Sequence, residues 1–354
     1  MCLTGCSYIV TGRVVHGPTD RSHLPHIDPN DPNCPVSIEW ITEPNKPPSA
    51  VISPREGVPA NKISGDLHRI AYADNNGFWS NPPEILLNGT LADSGKEYEI
   101  QVDTGSPYPL LVNDLHVREN HLPIYEIEGK DQGICLLPDI HIGSMTLRRP
   151  VSVYHWYHFE GRLLGLRVYR PKAILLGVPF LRAFKYVSFD GAGRQAEFSR
   201  AESFDPADPN EWSRYPFAES SAPDAETRIH VEIPIAGQTL RVAFDTGYQG
   251  ALLTSQGTWQ QMQQGLSGVR TSRKKLYGPH LGGRISATMA TVKRLQVGSR
   301  VGRNAHVAAL PDDSPLIQSL GDVDGILGLQ CLTDTTIVLD FEREAMWVRN
   351  DGTL

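Results

Sequence analysis

One local pattern occurs twice in this chain of 354 residues, and that repetition limits the possible folds more than any other feature. In each copy an alternating strand pattern leads into the turn Asp-Thr-Gly, once at 103–105 and once at 245–247. Each turn is followed later by an apolar strand that ends in glycine, at Gly177 in the first copy and at Gly328 in the second. A single Asp-Thr-Gly is weak, because many tight turns contain one. Two copies with their landmarks in the same order predict two related modules.

The chain from Glu84 to its end has the texture of an all-β protein. Short alternating or apolar runs are separated by turn residues, and the 32 glycines and 27 prolines fit a chain of strands and turns. From the shifts in composition we predict four segments: an N-terminal extension at 1–80, a first lobe at 81–200, a connector at 201–226 and a second lobe at 227–354.

Charge and cysteine content exclude several kinds of function. The formal net charge of −7 argues against a nucleic-acid partner bound through a general basic field. No apolar run approaches the roughly 18 residues that a membrane-spanning helix needs. The five cysteines include no Cys-x-x-Cys pair and no zinc-ligand spacing is present, so we predict neither a metal nor a cofactor. His155 and His158 are interpreted as packing or surface residues, because the sequence offers no third ligand.

The chemistry available to the repeat depends on its two carboxylates. If the two turns face each other across a pseudo-twofold axis, Asp103 meets Asp245. Two like charges at close range do not both ionise readily, so the pair holds one proton between them. The site then contains a base and an acid together, which is what activation of a water molecule against a peptide carbonyl requires.

On these residues the sequence resembles the aspartic peptidases. The resemblance covers about residues 84–200 and 227–354, and the short lobes are more similar to the retropepsin type, fused in tandem, than to a full pepsin. It implies a bilobal acid-protease fold, in which two related β-barrel-like lobes with pseudo-twofold symmetry enclose a cleft. It also implies an endopeptidase that cleaves a peptide or protein substrate without a cofactor. We expect a monomer, because both half-sites lie on one chain.

The resemblance assigns roles to the residues of the repeat. Asp103 and Asp245 would be the catalytic pair. The residues that would support this pair are Thr104 and Thr246, which lock the turns across the interface, Gly105 and Gly247, which contact the substrate backbone, and Gly177 and Gly328, whose strands cross behind the aspartates.

The residue after each turn differs between the two copies. Ser106 conforms to the family pattern of Ser, Thr or Ala, whereas Tyr248 does not. A hydroxyl at this position can bond to the neighbouring carboxylate and tune its basicity. Because the phenol of Tyr248 projects further out, we predict that the two lobes are electrostatically unequal.

A substrate-covering flap is expected in each lobe, between the Asp turn and the next strand that ends in glycine. The residues of the candidate hairpin tips are Gly129 and Gly133 in the first lobe and Tyr277, Gly278 and Gly282 in the second. A basic run precedes the second candidate and consists of Arg270, Arg273, Lys274 and Lys275. We interpret this run as a solvated loop; the alternative is that it attracts acidic substrates towards the cleft.

Residues 3–6, Leu-Thr-Gly-Cys, fit the pattern that precedes lipid attachment in bacterial lipoproteins. Only Met1 and Cys2 stand upstream, where a signal peptide would need charged and apolar regions. With a start further upstream, a lipid on Cys6 would be the only membrane contact and the protein would lie in the bacterial cell envelope. Otherwise the match is accidental and we expect a cytoplasmic protein.

Two alternative functions share the predicted fold. Loss of catalysis would leave a peptide-binding scaffold, and Tyr248 and the long extension are the features in its favour. In a zymogen, residues 7–80 would instead occupy the cleft. Retention of both Asp-Thr-Gly turns favours an active peptidase over a scaffold.

Overall fold

The computed structural model describes residues 10–41, 49–56, 61–73, 84–92, 94–127, 131–163, 166–169, 172–219, 227–278 and 283–350. Within these ranges the chain forms 28 β-strands and four short α-helices, so the structure is all-β. The strands are arranged in two lobes that repeat each other. The predicted fold class, all-β with two related lobes, is confirmed.

The elements are named here in chain order. The N-terminal region contains β1 (Val10–His16), β2 (Val36–Ile41), β3 (Ser49–Pro54), β4 (Lys62–Ile63) and β5 (Leu67–Ala71). The first lobe contains β6 (Leu86–Leu91), β7 (Glu97–Val102), β8 (Leu110–Asn113), α1 (Asp114–Glu119), β9 (Ile124–Glu126), β10 (Gln132–Leu136), β11 (Ile140–Ile142), β12 (Met145–Arg148), β13 (Val151–His155), β14 (Tyr157–Leu163), β15 (Leu166–Tyr169), β16 (Ile174–Leu176), α2 (Val178–Leu181), β17 (Tyr186–Asp190) and β18 (Gln195–Ser199). The remaining elements are β19 (Trp212–Pro216), β20 (His230–Ile235), β21 (Gln238–Phe244), β22 (Leu252–Ser255), α3 (Gln256–Gln263), β23 (Val269–Gly278), β24 (Gly283–Val297), β25 (Arg300–Leu310), α4 (Pro315–Ser319), β26 (Gly325–Leu327), β27 (Thr336–Asp340) and β28 (Ala345–Arg349).

The sheets of the two lobes have the same topology. The first runs β6-β7-β16-β8-β13-β10-β9, with β11, β12 and β4 continuing beyond β6, and the second runs β20-β21-β26-β22-β25-β24-β23. In the first sheet β7 is parallel to β16 and β8 is parallel to β13. The corresponding pairs of the second sheet, β21 with β26 and β22 with β25, are parallel as well. Parallel neighbours require crossover connections, so the shared order reflects a repeated fold rather than independent hairpins.

A six-stranded sheet joins the lobes in the order β19-β28-β27-β17-β18-β5. Its two central strands, β17 from the first lobe and β27 from the second, are antiparallel and are centred on the pair Ser188 and Val338. Equivalent strands follow on each side, as a pseudo-twofold axis requires. Strands β5 and β19 lie in the segments that the sequence assigns to the extension and the connector, and the limits of those segments stay predictions.

Part of the N-terminal extension packs along the β9–β10 hairpin of the first lobe. The backbone N–H of Ile27 donates to the carbonyl of Ile124 (2.8 Å), and the N–H of Ile124 donates to the carbonyl of Pro25 (2.9 Å). The buried apolar residues of this contact are Ile27, Cys34, Val36 and Ile134. Strand β1 pairs with β14 in a separate three-stranded sheet. The lipid-attachment candidate, Cys6, lies outside the described residues.

The interior of the lobes is apolar. One large cluster of buried aliphatic and aromatic side chains extends through both lobes, and a smaller one lies beside β26 in the second lobe. Cys34, Cys135 and Cys331 are buried thiols. None of the described helices has the length and apolar character needed to cross a membrane. The described part of the chain also has no group of three or more side chains placed to hold a metal ion.

Candidate active site

The two Asp-Thr-Gly turns follow equivalent strands at the centre of each lobe. The last three residues of β7 and of β21 are buried, and these strands lead directly to Asp103 and Asp245. The backbone N–H of Asp103 donates to the carbonyl of Leu176, and that of Asp245 donates to the carbonyl of Leu327, both at 2.9 Å. Each aspartate is therefore held at the end of a central strand by the parallel strand beside it, and each residue keeps some exposure to solvent.

Two buried threonines connect the turns across the lobe interface. The backbone N–H of Thr104 donates to Oγ1 of Thr246 (3.0 Å), and the N–H of Thr246 donates to Oγ1 of Thr104 (2.9 Å). Each hydroxyl in turn donates to a carbonyl of the opposite lobe, that of Phe244 for Thr104 and that of Val102 for Thr246, both at 2.7 Å. Neither threonine is exposed to solvent. The structure thus brings together the residues for which the sequence predicts a locking role, with four reciprocal hydrogen bonds.

The glycines of the turns lie against the opposite aspartate. A Cβ atom on Gly105 would be 2.5 Å from Cγ of Asp245, and one on Gly247 would be 2.6 Å from Oδ1 of Asp103. Each glycine also donates its N–H to Oδ1 of the aspartate in its own turn, at 2.9 Å for Gly105 and 2.8 Å for Gly247. Glycine is required here because any side chain would occupy the space of a carboxyl group. The same geometry shows that the two carboxyl groups are neighbours.

The neighbouring carboxyl group of Asp245 changes the protonation of Asp103. The pKa of Asp103 is raised well above its usual value, chiefly because burial disfavours the charged form and because Asp245 adds a like charge and a hydrogen bond. The backbone N–H groups of Gly105 and Ser106 act in the opposite direction. One proton is therefore retained at a pH where an ordinary aspartate is ionised. It belongs to the pair rather than to one residue.

The glycine-ending strands predicted to support the turns lie directly against them. The N–H of the residue after Gly177 donates to the carbonyl of Ser106 (3.3 Å), and the N–H of the residue after Gly328 donates to the carbonyl of Tyr248 (3.1 Å). A Cβ atom on Gly177 would be 2.6 Å from the Ser106 carbonyl oxygen, and one on Gly328 would be 2.6 Å from the Tyr248 ring. These contacts explain why both strands end in glycine, since the backbones could not approach so closely otherwise.

The residue after the turn is used differently in the two lobes. Ser106 is buried, and its Oγ accepts a hydrogen bond from the N–H of Tyr108 (3.4 Å). Tyr248 donates its phenolic hydroxyl to the carbonyl of Leu252 (3.3 Å), and its ring packs against the smaller apolar cluster of the second lobe. The phenol thus supports its own lobe. The predicted electrostatic inequality of the lobes stays a prediction.

The chain was also compared with known proteins. No protein-family model matches it, and no curated protein sequence does either. Among solved structures, it is similar to an aspartic proteinase from Irpex lacteus. The two share 11% sequence identity, the match covers 81% of this chain and 98% of that chain, and the TM-score is 0.47. So distant a likeness carries no functional argument, and the proposal below rests on the turns themselves.

The flap candidates are described only in part. Gly129 and Gly282 lie outside the described residues. Gly133 belongs to β10 rather than to a hairpin tip, and it is buried where a Cβ would be 2.7 Å from the Tyr154 ring. Tyr277 and Gly278 are the last two residues of β23, and Gly278 is paired with the first residue of β24. The role of these residues as flaps stays a prediction.

One polar contact between the lobes was not predicted from the sequence. The side-chain amide of Gln249, two residues after the second turn, donates to the carboxylate of Glu84 in the first lobe. Lys172 lies 3.6 Å from the same carboxylate and forms an ion pair with Glu99 at 2.8 Å. The partners are distant in the chain, and no spacing in the sequence indicates the contact.

A buried contact around Asp114 in the first lobe was also missed. His158 of β14 places its Nδ1 2.7 Å from Oδ1 of Asp114, and Arg118 donates to the other oxygen of that carboxylate (2.9 Å). Asp114 is fully buried. The contact joins α1, which follows β8, to the β14–β15 hairpin, so His158 packs in the interior, one of the two roles interpreted from the sequence.

Proposed function

We propose that this protein is an aspartic endopeptidase whose catalytic groups are Asp103 and Asp245. The observation that carries the proposal is the cross-lobe arrangement of the two turns, in which each glycine lies against the opposite carboxyl group and four threonine hydrogen bonds hold the turns together. A pair of ordinary turn aspartates would need neither the close approach nor the lock. Both halves of the pair come from one chain, which supports action as a monomer.

The shared proton supplies the chemistry of peptide hydrolysis. A water molecule held between the carboxyl groups gives a proton to the ionised one while its oxygen bonds to the peptide carbonyl carbon. The protonated carboxyl gives its proton to the carbonyl oxygen, and a tetrahedral diol results. The diol collapses as the C–N bond breaks, and the amine leaves with the proton that was taken from water. One diol hydroxyl returns its proton to the other carboxylate, which gives the carboxylic acid product and restores the shared proton. We do not assign the base to one aspartate, because a coupled pair titrates together.

The proposal is tested with Asp103→Asn and Asp245→Asn on a mixed peptide library between about pH 3 and pH 7, with and without a statine-type inhibitor. We expect each variant to lose at least about a thousandfold in kcat/KM, because each removes half of the proton-sharing unit. Asp205→Asn, at an exposed aspartate of the connector, is the matched control and should keep full activity. Unchanged turnover in either site variant, or peptide binding without cleavage at every pH, would exclude the peptidase and favour a scaffold.

The N-terminal segment supports a second form of the same enzyme, a latent one. Arg21 bridges the two stems of the β9–β10 hairpin, with Nη1 2.7 Å from Glu126 and Nη2 3.4 Å from Asp131. A segment that holds this hairpin can keep the enzyme inactive until the segment is released. In that case acidification should release an N-terminal fragment that mass spectrometry detects. A fully active, intact chain would exclude latency, and an intact-mass measurement would also show whether Cys6 carries a lipid.

A further inference from the structure

The β23 edge of the sheet in the second lobe is basic. Residues 269–310, which form β23, β24 and β25, contain nine Lys and Arg residues and no Asp or Glu, although the whole chain has a net charge of −7. The charge is concentrated in β23, the strand that carries the basic run identified in the sequence. That run is a ten-residue strand at the edge of the seven-stranded sheet, and not the solvated loop that the sequence suggested.

The cations of β23 are exposed, and their described partners on the next strand carry no negative charge. Residues 270–275 are all exposed. Across the ladder to β24, the partners of the four basic residues are Thr291, Thr288, Ala287 and Ser286, all of them neutral. Within the described part of the chain, none of the four forms an ion pair. The strand therefore carries four positive charges that no described group of the protein neutralises.

The backbone of β23 is available as well. Among the described strands β23 pairs only with β24, so every second N–H and C=O of β23 points away from its one described partner. Strand β1 approaches β23, but it pairs with β14 and carries Arg13 rather than an acidic residue. β1 therefore does not supply the missing negative charge.

We propose that β23 binds an extended acidic segment of a polypeptide substrate by strand addition. An added strand satisfies the free backbone groups of the edge, which a nucleic acid does not, and its side chains lie opposite those of β23. Consecutive residues of a strand point to opposite faces, so Arg273 and Lys275 lie on one face and Lys274 lies on the other. A run of consecutive acidic residues is therefore the sequence that meets all three cations. Calling the bound segment a substrate rests on the proposed function. The binding of an acidic segment to β23 does not itself require catalysis.

Binding is measured with the full chain carrying both Asp103→Asn and Asp245→Asn, so that the probe is not cleaved. The probe is a fluorescently labelled peptide in which a central run of glutamates is flanked by valine and threonine residues. Its binding is measured by fluorescence anisotropy near pH 6.5. We expect R273Q/K274Q/K275Q to bind it roughly tenfold more weakly, since each exposed ion pair contributes a modest amount. The matched control, K62Q/R148Q/R149Q, removes three exposed cations around the β4–β12 pair of the first sheet and should bind as the parent does. Binding should also weaken at high salt.

Three further probes separate strand addition from general charge attraction. A peptide with glutamine in place of glutamate should bind at least roughly tenfold more weakly, as should an acidic peptide whose backbone nitrogens are methylated at alternate positions. Equal binding of the methylated peptide, equal loss in the control variant, or tighter binding of a single-stranded oligonucleotide of the same charge would overturn the proposal. In the catalytic parent, the β23 variant should lose kcat/KM for acidic peptides and keep it for neutral ones. An inactive parent that still binds acidic peptides would overturn the peptidase alone.

Discussion

The two lobes agree at their centres and differ at their outer hairpins. At the centre, the turns are related by reciprocal hydrogen bonds of nearly equal length. At the periphery, the β9–β10 hairpin of the first lobe is covered by the N-terminal extension and bridged by Arg21, whereas β23 in the second lobe is an edge strand with exposed basic side chains. The two lobes are thus symmetric at the turns, where two equivalent carboxyl groups must meet. They differ at the outer hairpins, which contact other parts of the chain or the solvent.

The largest loss of stability is expected when one of the two threonines that join the turns is replaced. Thr104→Val and Thr246→Val each remove a buried hydroxyl that accepts one hydrogen bond and donates another. Each change leaves one backbone N–H and one backbone carbonyl of the opposite lobe without a partner. We expect each to lower the free energy of unfolding by about 3 kcal/mol, measured by urea denaturation. Thr→Ser at the same positions keeps the hydroxyl and should cost less. Clearly unequal losses for the two Val variants would contradict the equivalence of the lobes.

The close approach of the carboxyl groups is broken by Gly105→Ala and Gly247→Ala. The new methyl group would overlap the opposite aspartate, so we expect the free energy of unfolding to fall by about 1–3 kcal/mol. We also expect kcat/KM to fall by a larger fraction than the free energy of unfolding, because the methyl group displaces a catalytic carboxyl. Gly265→Ala is the control, because a Cβ there meets nothing closer than 3.9 Å. Full activity in either turn variant would show that the carboxyl groups need not be neighbours.

The pH dependence of the free energy of unfolding tests whether Asp103 has a raised pKa in the folded protein. Because the pKa of Asp103 is raised in the folded state, the folded protein binds more protons than the unfolded chain above about pH 4, and the free energy of unfolding falls as pH rises through this range. Asp103→Asn removes this dependence and should be more stable than the parent near neutral pH. Urea denaturation at several pH values measures the slope. A slope that persists in this variant, with Asp205→Asn as control, would show that other groups cause it.

The smallest effect is expected at the β9–β10 hairpin of the first lobe, which the N-terminal extension covers. Arg21→Gln removes a largely buried guanidinium from two carboxylates and from the face of Trp156, so we expect a loss of about 1 kcal/mol and faster hydrogen exchange at the N–H groups of Ile27 and Ile124. Arg69→Gln breaks a more exposed ion pair with Glu197 and should cost less. Unchanged exchange at Ile27 would mean that Arg21 does not hold the segment in place.

The centre of the site could be predicted from the sequence because its signals are local. Strand alternation, turn residues and a glycine at the end of an apolar strand all lie within a few positions of one another, and their duplication revealed the pair Asp103 and Asp245. The contacts of Gln249 with Glu84 and of His158 with Asp114 could not be predicted, because each joins residues that are distant in the chain and share no motif. The strand formed by the basic run was missed because its charges mask the weak alternation of an edge strand.

The sequence by itself therefore determined that the chain has two related β modules, each with one carboxylate on a tight turn. Only the tertiary structure decided that these turns face each other, since the hydrogen bonds that join them connect residues 142 positions apart. The physical reason is that turn and strand preferences act between neighbours in the chain. The pKa of Asp103, in contrast, depends on burial and on a like charge, and folding alone brings both to it.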